Sequence, residues 1–340
     1  MTLVFAAIAV LVLGASCQPF VIRFMSSHGA VDVPNERSSH RSVTPRGGGL
    51  AVVLAGAVGL ALLPGTRLVP LLAILGFGLL GLVEDLRGVP VLARLVAQLV
   101  MGAGLGWLLV VGAGAHHGPS MAVGAGLPVA AGLGAIVVVA GWLAGYVNAF
   151  NFMDGLNGIA GAHATVAGAA FAMIGWVQRM PLLSASGLVI AAAALSFLPW
   201  NAGRARIFLG DVGSYGLGAA LAAVAGYAVL HGVAVEAVAA PLAVGLVDTG
   251  WTLLRRIRSG ECWYQAHRTH VYQRLTDSGA SHSQVAFGTA GLAALLALLG
   301  LVALGPSLPA RLAADAVAVA LLAGYLRAPG WLCRRSDSST

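Results

Sequence analysis

Apolar residues in this chain gather in long blocks separated by short polar connections, at about 3–22, 47–64, 68–83, 92–112, 127–149, 157–177, 182–199, 213–230, 234–254, 285–305 and 309–326. A bilayer core of about 30 Å needs roughly 20 helical residues at a rise of 1.5 Å each. The pattern therefore predicts an all-α integral membrane protein, a polytopic bundle of 10–11 transmembrane helices in which the second and third spans are short. The first block has no basic stretch ahead of Leu3 and continues through Cys17-Gln18-Pro19 into further apolar sequence, so it reads as a span and not as a cleaved leader.

All 19 basic residues are arginine, and alternate connections divide them sixteen against three, the three being Arg67, Arg179 and Arg311. Cytoplasmic loops retain such residues, which predicts an N-terminus outside and a cytoplasmic C-terminus. With 59% apolar and only 9% charged residues, against roughly 25% charged in soluble domains, the chain is no soluble enzyme. Its net charge of +7 reads as a topology signal and not as a nucleic-acid surface. Cys17, Cys262 and Cys333 lie too far apart for a disulfide framework or a zinc ribbon. A single membrane domain over 1–330 with a polar cytoplasmic tail over 331–340 is expected, with polar loops at about 23–46, 84–94, 149–157, 200–212 and 255–284.

Polar chemistry collects on the arginine-rich side. There stand Val33-Pro-Asn-Glu-Arg-Ser-Ser-His40 with Thr44-Pro-Arg-Gly-Gly-Gly49, then Glu84-Asp85, then Asn148-x-x-Asn151-Phe-Met-Asp154-Gly-Leu-Asn157-Gly158. Further on come Phe208-Leu-Gly-Asp211-Val-Gly-Ser214 and His267-Arg-Thr-His270-Val-Tyr-Gln273. Such residues are costly at membrane depth, so their gathering marks a site. Carboxylates with carboxamides are hard oxygen ligands suited to Mg²⁺ or Mn²⁺, and arginines with histidines supply the positive charge a diphosphate needs. The combination points to phosphoryl transfer. The glycine run 47–49 lacks the following Lys-Ser/Thr of a P-loop, and Asp154-Gly-Leu-Asn-Gly-Ile159 does not meet the pattern of the CDP-alcohol phosphotransferases.

These segments, in this order over roughly residues 30–275, resemble the polyprenyl-phosphate N-acetylhexosamine-1-phosphate transferase superfamily (glycosyltransferase family 4). That superfamily includes the phospho-N-acetylmuramoyl-pentapeptide translocase and the initiating enzymes of O-antigen, common-antigen and teichoic acid synthesis, and the first and last motifs look most like the O-antigen branch. The resemblance implies attack by undecaprenyl phosphate on the β-phosphate of a UDP-N-acetylamino sugar, with Mg²⁺ (alternatively Mn²⁺). The products are undecaprenyl-diphospho-sugar and UMP, made at the cytoplasmic face of a bacterial inner membrane to start an envelope glycan.

On matching positions the resemblance makes Asp211 and Asn151 the metal ligands and places Asp85 and Asp154 among the catalytic acids, Asp85 handling the lipid phosphate or acting as base. Glu84 and Asp211 are counted with these catalytic residues, Glu84 standing where Asp is usual and adding a methylene. Asn35, Arg46, Asn148 and Asn157 become substrate contacts, Asn157 at the nucleotide, while His267, Arg268 and His270 take the diphosphate. Plainer roles stand beside these: an N-cap for Asp211, an interhelical hydrogen bond for Asn151, pairing with Arg87 for Glu84 and Asp85, capping of the second span for the glycine run, and anionic-lipid contact for Arg255, Arg256 and Arg258. Asp248 is left unassigned, and His163 and Asp315 read as packing or interface residues. The alternative function is a polyprenyl-lipid flippase or transporter, or an inactive relative that binds the lipid carrier. The sugar and any homodimer stay open.

Overall fold

The structure is a computed structural model of the 340-residue chain and describes residues 2–34, 43–63, 68–116, 129–262 and 267–337. Asn35 and the Arg37-Ser-Ser-His40 run therefore lie outside the described residues. The elements in order are α1 Thr2–Ser27, β1 Val31–Asp32, β2 Thr44–Pro45, α2 Gly49–Leu62, α3 Leu68–Arg87, α4 Val91–His116, α5 Val129–Met153, α6 Ile159–Val177, α7 Pro181–Asn201, α8 Gly210–Leu230, α9 Val235–Ala239, α10 Ala243–Arg258, α11 Val271–Asp277, α12 His282–Leu301 and α13 Leu308–Asp337. Short 3-10 turns, Ala240–Leu242 and Val302–Leu304, follow α9 and α12.

Among the described residues ten helices are long and apolar enough to cross a membrane. The expected second span is the exception: α2 has 14 residues, which at 1.5 Å each rise about 21 Å, short of a bilayer core. The expected ninth span is present over Val235–Arg258, with a 3-10 turn inside it. Pro241 lies where α9 gives way to a 3-10 turn before α10 begins, because proline supplies no amide hydrogen and crowds the preceding turn.

α8 is the centre of the bundle. It packs against α3 and α5 most extensively and against α2, α7 and α6 as well, and every residue from Val212 to Ala225 is buried. Glycine and alanine dominate that stretch, which lets neighbouring backbones come close where lipid removes the usual hydrophobic drive between helices. Outside the bundle, Phe5, Leu79, Val100, Trp176 and Leu298 are exposed, the arrangement a hydrocarbon solvent requires. α13 is mostly exposed, touching α10, α11 and α12.

The connection between α1 and α2 is pinned by a two-stranded antiparallel pair, Val31 opposite Pro45 and Asp32 opposite Thr44. The glycine run then docks on the segment before α8: Gly47 and Gly48 donate to the Phe208 carbonyl at 3.1 and 2.8 Å, and Gly49 to that of Leu209 at 2.8 Å. The glycines are thus engaged in packing the start of α2 against the start of α8.

Candidate active site

Asp85 lies in the last turn of α3 with its side chain 1% exposed. Its two oxygens accept from the backbone N–H groups of Asp211 at 3.1 Å and Val212 at 2.9 Å. These are the first turn of α8, whose amides have no partner inside the helix. Asp85 is therefore the cap of a helix that begins 125 residues later. Gly210 makes the approach feasible: its φ is +74°, and a Cβ there would meet an Asp85 carboxylate oxygen at 2.6 Å, so the position suits a residue without a side chain.

Because Asp85 takes the cap, the Asp211 side chain does not have to. It accepts at one oxygen from Asn151 Nδ2 at 2.6 Å, and the same amide nitrogen donates to Ser214 Oγ at 2.8 Å. Asn151, at the end of α5, is thus joined to the first turn of α8 at two points, the interhelical bond that sequence offered as its plainer role. Both residues keep partial exposure. No hydrogen bond among the described residues engages the second Asp211 oxygen or the Asn151 carbonyl oxygen.

Asp154 follows one turn after Asn151, where α5 has ended at Met153 and the chain turns towards Gly158, a left-handed residue at φ +85° ahead of α6. Burial, and then the charges of Asp211 and Asp85, push the Asp154 carboxyl well above the usual carboxylate range. Three acids from three helix ends thus crowd one region. Arg46 stands at its edge, its Nε 3.6 Å from Asp85 and its Nη2 donating to the Asp85 carbonyl at 3.1 Å, with the side chain 41% exposed. Glu84 pairs with Arg94 at 2.7 Å and not with Arg87, a correction that comes from the turn at Gly88 (φ +69°), after which α4 brings Arg94 back over Glu84.

The remaining candidates sit at the margins. Asn148 Nδ2 donates to the buried Gln98 on α4 at 2.6 Å and to its own helix at Ala144. Asn157 donates to the Gly203 carbonyl at 2.7 Å and so ties the α5–α6 turn to the loop before α8. The buried Asn201 braces the same loop, accepting from Gly158 N at 2.6 Å and donating to Ile207 O at 3.0 Å.

The His267–Gln273 segment arrives over the end of α5. Tyr272 donates to the Phe152 carbonyl at 2.7 Å, and Gly155 leaves the space its phenol fills. His267 and His270 stack at 5.0 Å between ring centres, with Phe152 about 6 Å from each. His267 and Arg268 keep partial exposure, Arg268 paired with Asp277 at 2.8 Å. His270 is 2% exposed, its ring turned to Asp248 at 3.0 Å.

Several residues that sequence reasoning missed or left aside complete the arrangement: Asp248, Arg94, Gln98, Asn201 and Ser214. Arg255 and Arg256 also differ from expectation. Arg255 donates to Thr269 O at 2.9 Å, and Arg256 pairs with Glu261 at 2.7 Å while donating to Cys262 O; both hold the loop in place. At the other end of the bundle, Glu236 pairs with Arg311 at 2.7 Å. A cavity of about 1000 Å³, lined by Leu3, Leu62 and Trp176 among others, is apolar apart from Arg179 and Ser184.

Among the described residues no three His, Cys, Asp or Glu side chains form a ready metal cage. A cation that takes one or two carboxylates and completes its shell with water and substrate phosphate fits such a site better, which is the habit of Mg²⁺. The open donors are an Asp211 oxygen and the Asn151 carbonyl oxygen, both hard ligands.

Residues 67–229, which include Glu84, Asp85, Asn151, Asp154 and Asp211, match the model of the family described as glycosyl transferase family 4. The chain is similar to a probable undecaprenyl-phosphate N-acetylglucosaminyl 1-phosphate transferase of Bacillus subtilis, 27% identical over 78% of this chain and 74% of that protein. It is 30% identical to the decaprenyl-phosphate N-acetylglucosaminephosphotransferase of Mycobacterium tuberculosis, over 78% of this chain and 73% of the relative. A phospho-N-acetylmuramoyl-pentapeptide-transferase of Bacillus velezensis is 26% identical over 83% of this chain and 90% of its own length. Similarity that extends over most of both chains, with the Asn151–Asp211 contact and its Asp85 cap inside the matched stretch, makes this protein a member of glycosyl transferase family 4.

Proposed function

We propose that the protein transfers N-acetylhexosamine 1-phosphate from a UDP-sugar to a polyprenyl phosphate at the cytoplasmic face of a bacterial inner membrane, undecaprenyl phosphate being the acceptor, and releases UMP. The observation that carries this reading is the meeting of Asp85, Asn151, Asp154 and Asp211 from three helix ends at one end of the bundle. The opposite end offers the Glu236–Arg311 pair and no comparable gathering among the described residues, which argues against a transport path through the membrane. The arginine bias supports a cytoplasmic position for the acid-rich end.

The reaction brings one anion against another. An oxygen of the lipid phosphate forms a bond to the β-phosphorus as the bond to the UMP oxygen breaks, so the main demands are positioning and charge neutralisation. Asp211 and Asn151 would hold Mg²⁺, which supplies Lewis-acid neutralisation of the diphosphate when bound. Asn151, itself held by Ser214, orients the Asp211 carboxylate, and Asp85 holds the turn of α8 that carries it. Arg46, half-exposed beside these acids, is placed to meet a phosphate. His267 and Arg268 border the same region and suit the donor's diphosphate. A lipid phosphate is largely dianionic at neutral pH, with a second pKa of about 6, so little proton abstraction is needed.

The test is Mg²⁺-dependent UMP release by the purified full chain in detergent, with undecaprenyl phosphate and a panel of UDP-amino sugars. Release with one donor, loss in EDTA and loss in Asp211→Asn with an unchanged thermal midpoint are expected; near-normal turnover by Asp211→Asn overturns the metal assignment.

A further inference from the structure

Asp248 is the most heavily engaged polar side chain that the phosphoryl-transfer reading leaves without a task. It lies in the first half of α10 and is fully buried. One oxygen accepts from Val271 N at 3.0 Å and from Thr252 Oγ1 at 3.4 Å and lies within hydrogen-bond distance of His270 Nδ1, at 3.0 Å. The other accepts from Tyr272 N at 3.2 Å and from the Tyr325 hydroxyl at 2.6 Å. Five polar groups converge on one carboxylate, and they come from α10 itself, the His270 cap position, the first turn of α11, and α13.

A buried carboxylate is costly unless hydrogen-bonded, and this one accepts from two backbone N–H groups and two hydroxyls. Beside the two backbone N–H groups, the His270 Nδ1 contact with the same carboxylate holds the ring in one plane. That plane is the one against which His267 stacks at 5.0 Å and Tyr272 at 5.5 Å. Tyr272 in turn reaches the Phe152 carbonyl beside Asn151. A continuous set of contacts therefore runs from α13 through Asp248 to the 267–277 segment and on to the end of α5.

We propose that Asp248 is a positioning residue: by clamping His270 and the first turn of α11, and tying both to α13 through Tyr325, it holds the His267–Arg268 segment over the end of α5 as part of the donor-binding surface. The inference deepens the proposed function and rests on it for the word donor; the clamp itself does not. Asp248 touches no reacting group, and His270 serves as a strut beneath the surface. The partly exposed His267 and Arg268 are the side chains that meet the UDP-sugar.

The experiment uses the full chain in detergent, comparing parent, Asp248→Asn and Tyr325→Phe. Hydrogen exchange of the 271–273 amides, measured without substrate, reads the clamp directly. UMP release against donor and against lipid concentration separates KM from kcat for each substrate. Asp248→Asn is expected to speed exchange at 271–273 by at least tenfold and to raise the donor KM by at least tenfold, with kcat and the lipid KM within threefold. Tyr325→Phe, which keeps the ring and removes one donor, is expected to move exchange and donor KM the same way by about threefold. A general loss of structure would move kcat and both KM values together, and that pattern overturns the proposal. So does an Asp248→Asn protein with parental exchange and donor KM, and should Asp248→Asn not fold, parental exchange in Tyr325→Phe does the same. Absence of UMP release by the parent with every donor would instead fail the functional reading and leave the exchange result to decide the clamp.

Discussion

Asn151 holds two acceptors of α8 with one amide nitrogen, so neighbouring substitutions can separate what each contact does. Ser214→Ala removes one neutral acceptor and leaves the Asp211 bond, so a loss of about 1 kcal/mol in stability and less than tenfold in UMP release is expected. Asn151→Ala removes both bonds and a proposed metal ligand. Its stability cost should be about 2–4 kcal/mol, since a bond to a charged group is worth more than a neutral one, and its activity should fall at least a hundredfold. Thermal midpoints and initial rates check both, and equal activity losses in the two variants would refute the division of roles.

Asp154 gives a prediction whose sign follows from its surroundings. Burial and the neighbouring Asp211 and Asp85 charges raise its pKa in the folded protein, so the native state holds that proton more tightly than the unfolded chain. Such a group leaves stability untouched below the ordinary carboxylate pKa, lowers it progressively as pH climbs through the window up to the raised value, and imposes its full cost above that. Asp154→Asn removes the cost. In EDTA the variant should melt later than the parent at alkaline pH, the difference vanishing in acid, even though it loses UMP release. A midpoint below the parent's at every pH would contradict this account.

At the scale of elements, the α11 segment depends on a hole. Gly155→Ala would place a methyl against the Tyr272 hydroxyl, displacing the bond to Phe152 with little disturbance to the ten spanning helices. The donor KM should rise several-fold with the thermal midpoint within about 2 °C, read from initial-rate curves and a melt.

The helices themselves were legible because apolar runs of bilayer length have few other readings; short α2 is the departure, and the 3-10 turn between α9 and α10 is a local detail that a single proline marks. The site was legible as a list of residues and less so as a geometry. Asp85 and Asp211 could be picked from motifs, but that one caps the helix bearing the other depends on how α3 and α8 pack. The plainer reading of Glu84 looks to nearby Arg87 for a partner, whereas the turn at Gly88 delivers Arg94. Asp248 was passed over because its donors lie between 4 and 77 residues away, and no local pattern carries that information.

At the scale of the molecule, arginine placement and the acid-rich end predict which face meets the cytoplasm. Cys262 is exposed in the loop between α10 and α11 and is a native reporter of that face. With Cys17→Ser and Cys333→Ser, a membrane-impermeant maleimide should label inside-out vesicles and leave right-side-out vesicles unlabelled. The opposite pattern would reverse the orientation of the bundle.

The cap that Asp85 places on α8 also sets an order of manufacture. The two partners lie about 126 residues apart in the chain, and at roughly 5–20 residues per second during synthesis they leave the ribosome about 6–25 s apart. For that interval the end of α3 holds a carboxylate whose amide partners have not yet been made, and four further helices must enter the membrane before they exist. The acid-rich end of the protein is therefore assembled late, upon a frame already in the bilayer, and a nascent chain that stalls before Gly210 carries most of the membrane scaffold but not the gathering of Asp85 with Asp211.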